Sequence, residues 1–369
     1  MSKGTSRMDL GERVDLVVIG GGVIGCAIAA AAANSNRQVV LLERERGLGS
    51  GITSRNSGVI HSGLYYPPGS LKARSCVRGN RRLYAWAAAH GVWHARVGKL
   101  VVAKTSEQEA ELQRLWENAR ASGAPDVSLL TGAAVQALEP TLQAVAGLHC
   151  AATGIVDPHE LVLSLRAAAE RAGAVFVTGA AVTGIDAGGE VRVETTRGEI
   201  TAAQVVNAAG MAADELARLV GVSEYRHHPC RGDYFRLRTQ VGYRHLVYPV
   251  RDPRAPGLGV HLTLERGGGM RLGPDTTYVD RRDDFSDAAP DKHGAFLAAA
   301  QRLLGPLHPD QLQYDGCGIR PKLRAPDDTE EKDFVVCEHP RGIIHLLGIE
   351  SPGLTAALDL AAQVTKMLS

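Results

Sequence analysis

The stretch that decides the fold is Val17–Cys26, VVIGGGVIGC, close to the start of the chain. Its glycines Gly20, Gly22 and Gly25 have GxGxxG spacing and lie between an apolar strand and an alanine-rich helix. In this spacing the first glycine makes a tight turn, the second lets the backbone approach a pyrophosphate, and the third lets helix and strand pack closely. The free N–H groups and the dipole of the helix favour a phosphate there. The pattern therefore predicts a dinucleotide site.

An acidic residue stands at the expected distance beyond this turn. After the helix Val23–Ala33, a second strand, Gln38–Leu42, is followed by Glu43. An acid about 20 residues beyond the glycines accepts hydrogen bonds from an adenosine ribose. A lone GxGxxG is a weak signal, and its alternative is a purely structural strand–turn–helix. Strand, glycines, helix, strand and acid within one short unit favour the dinucleotide site.

Composition places the chain among ordinary globular proteins. It has 369 residues, 44% hydrophobic and 22% charged, with a formal net charge of +1. The length predicts two units with sizeable cores, and the charge gives no reason to expect a nucleic-acid partner. The sequence contains no stretch of roughly 18 uncharged apolar residues, so we expect no helix that spans a membrane. The first residues, MSKGTSRMDLGERVD, lack the apolar core of a signal peptide.

The cysteines predict a reducing compartment. Six are scattered along the chain without a CxxC pair, which indicates buried free thiols and neither a disulfide framework nor a zinc site. We therefore expect a cytoplasmic protein, with peripheral contact at the inner membrane left open.

Hydrophobic periodicity, together with the glycine and proline residues that interrupt it, predicts the other helices and strands. Residues 47–63 read as a long glycine-rich loop, and residues 229–277 as an antiparallel sheet. Asp157, Pro158 and Glu160 predict a helix start with a capping box. The helices expected are Ser70–His90, Ser106–Ser122, 157–173 and one ending at Met367. The strands expected are Gly98–Lys104, Val175–Thr178, Val182–Asp186, Val191–Thr195, Ile200–Asn207 and Ile343–Gly348.

The nucleotide-binding elements come in three separated pieces. They cover residues 12–90, 151–220 and 334–369, whereas residues 91–150 and 221–333 have antiparallel character. Alternating strands and helices predict an α/β fold with a Rossmann-like, doubly wound domain. The intervening pieces predict an inserted α+β substrate domain built on an antiparallel sheet.

Four motifs resemble one family at the right order and spacing. They are TSRNSGVIHSGLYYPPGSLK at Thr53–Lys72, NAAG at Asn207–Gly210, CGIRPKL at Cys317–Leu323 and HLLGIESPGL at His345–Leu354. Together they resemble the L-2-hydroxyglutarate dehydrogenases and oxidases, members of the D-amino-acid-oxidase-like (DAO) superfamily of FAD enzymes. The resemblance spans nearly the whole chain and implies the FAD-binding fold of that superfamily.

The resemblance also implies extended, non-covalently bound FAD, with a covalent link at Cys317 as the alternative. The glycine turn would hold the pyrophosphate, Glu43 the ribose, and the loop from Thr53 the phosphates and the isoalloxazine. The C-terminal turn would present free N–H groups to the flavin, where negative charge collects on reduction. The residues implied in cofactor binding are Gly20, Gly22, Val23, Ile24, Gly25, Glu43, Arg44, Thr53, Ser54, Asn56, Ser57, Gly58, Val59, Val182, Ala208, Ala209, Gly210, Gly318, Arg320, Ser351, Pro352, Gly353, Leu354 and Thr355.

Histidines are the candidate bases for removing a hydroxyl proton while a hydride leaves the neighbouring carbon. An imidazole has an ordinary pKa of about 6.5, which suits proton transfer near neutrality. His61, in the cofactor loop, is the first candidate, and His261, in GVHLT, resembles a family histidine. His227 and His228 read as polar strand residues. The alternative for each is a structural histidine.

A hydroxy-acid substrate needs cationic and hydroxyl donors. Arg320 is expected to act in catalysis, since arginine grips a carboxylate with two parallel hydrogen bonds. Lys322 and Arg231 are expected as further cationic contacts, with surface ion pairing as the alternative. Tyr65 and Tyr248 are expected to complete the pocket, with core packing as the alternative.

The resemblance implies oxidation of a small 2-hydroxy acid, foremost L-2-hydroxyglutarate to 2-oxoglutarate, by hydride transfer to flavin N5. The electrons would pass to a quinone, an electron-transfer protein or oxygen. Three alternatives stay open: an amine or amino-acid oxidase of the glycine or sarcosine oxidase type, a glycerol-3-phosphate dehydrogenase, and a non-catalytic flavoprotein. An amine needs no strong base, and a phosphate substrate needs more arginines than the motifs supply.

Overall fold

The computed structural model describes residues 13–33, 37–239, 242–251 and 259–368. The segment read as lacking a signal peptide lies almost wholly outside the described residues. So do residues 240–241 and 252–258 of the predicted antiparallel sheet.

Within the described residues, strands and helices alternate in the first and last parts of the chain. The helices are α1 (Val23–Ala33), α2 (Leu71–His90), α3 (Glu109–Ala121), α4 (Gly132–Leu138), α5 (Pro158–Arg171), α6 (Ala213–Leu219), α7 (Lys292–Leu304) and α8 (Gly353–Met367). The strands are β1 (Arg13–Ile19), β2 (Val39–Glu43), β3 (Val59–Ile60), β4 (His94–Ala95), β5 (Lys99–Ala103), β6 (Val127–Thr131), β7 (Ala146–Cys150), β8 (Gly154–Val156), β9 (Val175–Thr178), β10 (Val182–Asp186), β11 (Val191–Thr195), β12 (Gly198–Asn207), β13 (His228–Leu237), β14 (Leu246–Pro249), β15 (Leu262–Leu264), β16 (Met270–Leu272), β17 (Thr277–Tyr278), β18 (Leu312–Lys322), β19 (Val335–Glu338) and β20 (Ile343–Leu347).

The nucleotide-binding architecture is a parallel sheet. Strands β9, β2, β1, β12 and β20 run parallel in that order, and β10, β11 and β19 add antiparallel edges. Strand β1 is buried on both faces because α1, α5 and α8 cover one side of the sheet and apolar residues from β10–β12 and α6 cover the other. The carboxyl ends of β1 and β12 therefore lie side by side, with Ile19 opposite Asn207.

A second, mainly antiparallel sheet stands in the intervening parts of the chain. Its order is β18, β13, then β16 and β17 on the other edge of β13, then β15, β14, β5, β7 and β6. One pair departs from the expected antiparallel pattern, because β14 runs parallel to β5. The long strand β18 carries the CGIRPKL motif and pairs along most of β13. A small sheet of β3, β8 and β4 includes the end of the cofactor loop.

The observed element bounds agree closely with most of the expected ones. Helix α1 and strands β9, β10 and β11 have the predicted bounds, and α8 ends at the predicted Met367. The loop 47–63 differs, since Ile52–Arg55 forms a 3-10 turn and Val59–Ile60 a short strand. The polar helix expected from Ser106 begins as a 3-10 turn and becomes α-helical at Glu109.

Of the capping box expected at α5, the N-cap hydrogen bonds of Asp157 form, but the return hydrogen bond to Glu160 does not. The Asp157 carboxylate accepts hydrogen bonds from the N–H groups of His159 and Glu160, as an N-cap does. The Glu160 carboxylate turns away and accepts from the Trp93 N–H at 2.7 Å and from Arg266. The side chain that was expected to close the helix end therefore joins α5 to β4 instead.

All six cysteines lie in described residues as free thiols. Five are buried, as expected, whereas Cys337 is half-buried. Burial raises the pKa of Cys26 and of Cys76 to about 12, so both thiols are protonated near neutrality. None of the helices among the described residues combines the length and apolar character needed to cross a bilayer.

Candidate active site

One cavity of about 760 Å³ runs from the glycine turn into the antiparallel sheet. Ligand pockets typically measure roughly 300 to 1,000 Å³. Its walls come from the carboxyl ends of β1, β2 and β12, the loop 50–61, the turn before α8, and the faces of β13, β14 and β18. The parallel and antiparallel sheets thus share a single cavity.

The glycine turn has no room for side chains. A Cβ on Gly20, whose φ is +108°, would stand 2.4 Å from the Ala208 carbonyl oxygen. A Cβ on Gly25 would stand 1.8 Å from the Gly20 carbonyl oxygen, so Gly25 permits the close approach of α1 to β1. Gly22 lies on the cavity wall beside Thr53, whose hydroxyl accepts a hydrogen bond from the Val23 N–H.

Glu43 stands at the end of β2 on the cavity wall. Its Oε2 accepts a hydrogen bond from the Gly21 N–H at 2.6 Å, and its Oε1 accepts from the Glu45 N–H at 2.8 Å. The carboxylate therefore ties the strand end to the glycine turn and is held in a fixed orientation beside the cavity. Val182 and Ala208 line the same end.

Most residues expected to bind the cofactor line the cavity, and four stand one layer behind its wall. Gly25 packs on β1, and the Ser54 hydroxyl donates to the carbonyls of Ser50 and Gly51. Gly58 has a φ of +65° and faces the Val156 carbonyl. The residues expected in cofactor binding that do line the cavity are Gly20, Gly22, Val23, Ile24, Glu43, Arg44, Thr53, Asn56, Ser57, Val59, Val182, Ala208, Ala209, Gly210, Gly318, Arg320, Ser351, Pro352, Gly353 and Leu354.

Thr355 is the fourth residue behind the wall, and it holds His61. Its hydroxyl oxygen accepts a hydrogen bond from the His61 N–H at 2.9 Å and donates to the Val59 carbonyl. The Asn80 amide donates to the His61 carbonyl at 2.9 Å. The His61 backbone is thus fixed by α8 and α2, while its ring lies in the cavity with Nε2 3.4 Å from the Ser351 hydroxyl.

The second histidine, His261, lies across the cavity against a tyrosine. Its ring stacks on Tyr248 with centroids 3.9 Å apart. Its Nδ1 lies 2.8 Å from the Gly259 carbonyl oxygen, and because a carbonyl only accepts, Nδ1 carries the proton. In the neutral ring Nε2 is therefore the acceptor.

Both imidazoles are neutral at pH 7. Burial lowers the pKa of His61, and the charges of Lys99 and His261 add to this effect. Burial, with smaller contributions from Lys99 and Arg320, outweighs the hydrogen bond to Gly259 and lowers the pKa of His261 to about 4. A neutral histidine can accept a proton, so both side chains are chemically suited to act as bases.

Three buried polar atoms of the cavity lining have no hydrogen-bond partner among the described residues: the Tyr65 hydroxyl, Arg55 Nε and Arg251 Nε. An unsatisfied buried donor costs about 1–3 kcal/mol. Arg55 is otherwise held over the Phe285 ring at 3.9 Å, and Arg251 lies 3.6 Å from Glu331. Such unpaired donors are typical of a site that binds an oxygen-rich ligand.

Arg320 lines the cavity on β18 and is held from behind. Its Nε and Nη2 donate to the carbonyls of Cys230, Arg231 and Asp275. These contacts fix the plane of the guanidinium group. Among the described residues no hydrogen bond of Nη1 is seen, which leaves this nitrogen for a ligand.

Lys322 lines the cavity, and its ammonium is paired within the protein, so its contact with a substrate stays a prediction. Lys322 and Lys72 both contact the Glu350 carboxylate at 3.0 Å, and all three side chains are nearly buried. Burial acts to raise the pKa of Glu350, but the two lysines outweigh it and bring it to about 2. Lys322 also lies 3.9 Å from the Glu331 carboxylate, so the two lysines of this cluster face two carboxylates.

Arg231 stands outside the cavity lining. Its guanidinium group is buried and donates to Asp233, to the Ser286 carbonyl and to the Tyr314 hydroxyl. These contacts join β13 to β18, and a contact of Arg231 with a substrate stays a prediction. Cys317, next in register to this network, has its thiol 3.8 Å from the Asp284 carbonyl and does not line the cavity.

His227 is a buried connector, where a polar strand residue was expected. Its Nε2 accepts a hydrogen bond from the Gly348 N–H at 2.9 Å. Its Nδ1 lies near the Met211 carbonyl and the Asp214 carboxylate, and Asp214 also pairs with Arg282. These contacts of His227 join the segment after the NAAG motif to the turn before α8, and both segments contribute to the cavity wall.

Comparison with known proteins settles the family. Residues 15–367 match the model of the DAO family, described as FAD dependent oxidoreductase. The chain belongs to the DAO family. Its members depend on FAD, which agrees with the cofactor expected from the sequence.

Relatives and a solved structure place the chain within the DAO family. It is 34% identical to human mitochondrial L-2-hydroxyglutarate dehydrogenase, covering 98% of this chain and 90% of the relative. It is 32% identical to the mitochondrial enzyme of the same name from Arabidopsis thaliana, covering 96% and 83%. The dithionite-reduced L-alpha-glycerophosphate oxidase from Mycoplasma pneumoniae with FAD bound has a TM-score of 0.88 at 24% identity, covering 97% and 95%. This last likeness shows the shared fold.

The cavity of this DAO-family chain fits FAD on its own evidence. The side-chain-free turn at Gly20 and Gly22, the fixed Glu43 carboxylate and the N-terminus of α8 all border one continuous space. The sequence pattern had indicated these three features. It had assigned no role to Arg55 or Glu350, although both lie within quoted motifs, and it had not indicated Arg251, which lies outside them and joins the cavity lining only through folding.

Proposed function

We propose that this chain is an L-2-hydroxyglutarate dehydrogenase, which oxidises the 2-hydroxyl of this dicarboxylate to a keto group. The carrying observation is that one cavity is lined both by the unpaired donors of Tyr65, Arg55 and Arg251 and by the neutral histidines His61 and His261. Cationic donors suit a substrate with two carboxylates, and neutral imidazoles suit loss of a hydroxyl proton. The names of the relatives support the same substrate.

FAD, when bound, supplies the acceptor for the hydride that leaves the substrate carbon. The residues proposed to hold it are those of the cavity wall from the glycine turn to Gly353. Glu43 would accept hydrogen bonds from the ribose, and the N–H groups at the start of α8 would face negative charge.

The remaining residues of the site are proposed to bind and orient the substrate. Arg320 Nη1 would grip one carboxylate, with Arg251 and the Tyr65 hydroxyl on the other. His61 is the proposed base for the hydroxyl proton. His261 is the proposed second acceptor, because its Nε2 is the free nitrogen of a fixed tautomer. Tyr248 holds the His261 ring by stacking.

The test is anaerobic mixing of the FAD-loaded protein with a substrate panel, followed by the visible absorbance of the flavin. We expect L-2-hydroxyglutarate to bleach the flavin much faster than its D-enantiomer, glycine, sarcosine or glycerol 3-phosphate. Faster bleaching by glycine or sarcosine would contradict the proposed function and indicate an amine or amino-acid oxidase. Bleaching by none of the panel would leave a non-catalytic flavoprotein.

The proposed electron acceptor is a quinone, an electron-transfer protein or oxygen. Reoxidation of the reduced protein by each of these in turn identifies it. A quinone acceptor would require peripheral contact with a membrane surface, and co-sedimentation with lipid vesicles measures that contact.

A further inference from the structure

A buried lysine that no motif indicated lies beneath the substrate end of the cavity. Lys99 begins β5, and its backbone is paired with Cys150 on β7 and with Leu246 on β14. The residue is 1% exposed. Within the part of the chain that the structure describes, the contacts seen for its ammonium are with aromatic rings and no ion pair is found.

The ammonium lies against the rings of two residues from the proposed substrate site. Its Nζ is 4.8 Å from the ring centroid of Tyr65 and 4.7 Å from that of Tyr248. Cation–π contacts of this kind stabilise a charged ammonium where water is absent. The Tyr248 ring also stacks on His261, which links Lys99 to the histidine through one aromatic ring.

Burial lowers the pKa of Lys99 from its ordinary value, and the groups around the ammonium provide no negative charge near neutral pH. Cys76 faces it from α2 and Cys150 from β7, and burial raises the pKa of each thiol. Tyr65 and Tyr248 face it from the cofactor loop and β14, and burial raises the pKa of both phenols. The remaining titratable neighbours are His61 and His261.

We propose that Lys99 is a positioning residue of this site, a buried ammonium that aligns the two tyrosine rings and keeps both histidines in their proton-accepting form. The charge acts at short range because little water screens it. A protonated histidine beside an ammonium is unfavourable, so the charge of Lys99 opposes protonation of His61 and of His261. Arg320 acts in the same direction on His261. The catalytic consequence rests on the proposed function, whereas the electrostatic effect does not.

The experiment compares the FAD-loaded wild type with Lys99→Met, a neutral side chain of similar length. Histidines labelled with ¹³C at Cε1 are titrated by NMR, and the His61→Gln and His261→Gln variants assign the two signals. We expect the pKa of both histidines to rise in Lys99→Met by on the order of one unit. The matched control is Lys104→Met, just beyond β5, whose ammonium contacts the Gln143 carbonyl and which should leave both values unchanged.

Unchanged histidine pKa values in Lys99→Met overturn the proposal. So do wild-type values at or above the ordinary value of about 6.5. If the methionine variant loses its FAD, Lys99→Gln replaces it, and the wild-type titration by itself can still contradict the proposal.

The pH profile of kcat/KM adds a readout that a merely structural role would not move. We expect its acid limb to shift to higher pH in Lys99→Met, with most of the activity recovered at high pH. Equal loss at every pH, without a shift of the limb, would overturn the proposal. If the wild type fails to oxidise L-2-hydroxyglutarate, the proposed function fails, and the histidine titration still decides the role of Lys99.

Discussion

At the scale of single residues, position in the cavity matters more than residue type. The chain has 13 histidines, and His61 is distinguished by a backbone fixed from α2 and α8 and a ring in the cavity. Burial, Lys99 and His261 together lower the pKa of His61. The proposed base is thus ready to accept a proton at neutral pH.

Replacing His61 by Gln removes the proposed base and keeps a polar side chain of similar size. We expect flavin reduction by L-2-hydroxyglutarate to slow by about 10²- to 10⁴-fold, the usual contribution of a positioned base. Stopped-flow absorbance measures this rate, and the visible spectrum checks that FAD is retained. His308→Gln, at an exposed position, is the control. A larger loss in His261→Gln than in His61→Gln would assign the base to His261.

Replacing Arg251 by Met removes a cation of the cavity wall whose Nε has no partner among the described residues and whose Nη2 lies 3.6 Å from Glu331. A hydrogen bond to a charged group contributes about 1.5–3 kcal/mol, so we expect KM for the dicarboxylate to rise by about 10- to 100-fold. Steady-state kinetics measure it, with the exposed Arg244→Met in the same segment as control. A KM within twofold of the wild type would exclude Arg251 from substrate binding.

The sequence motifs identified many residues that line the cavity. They did not identify residues that come close to the site only because distant strands pair. Glycines at Gly20, Gly22 and Gly25 have steric requirements that one short stretch reveals. The burial of Lys99 depends on strand pairings with residues near 150 and 246, which no local pattern encodes. The hydrogen bond of Arg231 to the Ser286 carbonyl likewise joins segments that no local pattern links.

At the scale of elements, buried charges join segments that are distant in the chain. Glu350 connects Lys72, at the start of α2, with Lys322, at the end of β18. His227 connects the start of α6, at Asp214, with the turn before α8. Periodicity predicted the helices α1, α2, α3, α5 and α8 and the strands of the parallel sheet because each depends on local sequence, but it did not predict α4, α6 or α7. The junctions described here depend on tertiary contact.

The Glu350 cluster predicts a specific loss of stability in acid. Its folded pKa of about 2 lies below the ordinary 4.5, so the carboxylate stabilises the fold above pH 4.5. This stabilisation declines as the pH falls from 4.5 towards 2. Urea unfolding at several pH values should show that Glu350→Gln loses about 3 kcal/mol at pH 7 and shows a shallower decline in acid.

Glu117→Gln is the matched control for that experiment, since Glu117 is exposed on α3 and its carboxylate accepts a hydrogen bond from the neutral Gln113 side chain. It should keep the wild-type stability and pH dependence. Equal pH dependence in Glu350→Gln and the wild type would contradict the role given to the ion cluster.

At the scale of the whole molecule, the cavity is closed by segments from both ends of the chain. The glycine turn at Gly20 and the turn at Ser351 line one space with β18 and β13, from the antiparallel sheet. The sequence motifs predicted the parallel sheet and an inserted unit. The shared wall between the two sheets depends on the long pairing of β13 with β18.

Removal of FAD should therefore loosen distant segments together. A ligand that binds only the folded state at 100 times its Kd stabilises it by about 2.7 kcal/mol. We expect hydrogen exchange of the apoprotein to accelerate at once in the loop 47–63, at 318–322 and at 346–355, because each segment lines the same space. Helix α3, outside the cavity lining, serves as the internal control. Faster exchange confined to the glycine turn would show that the cofactor stabilises the parallel sheet alone, and the two sheets would then be independent in stability.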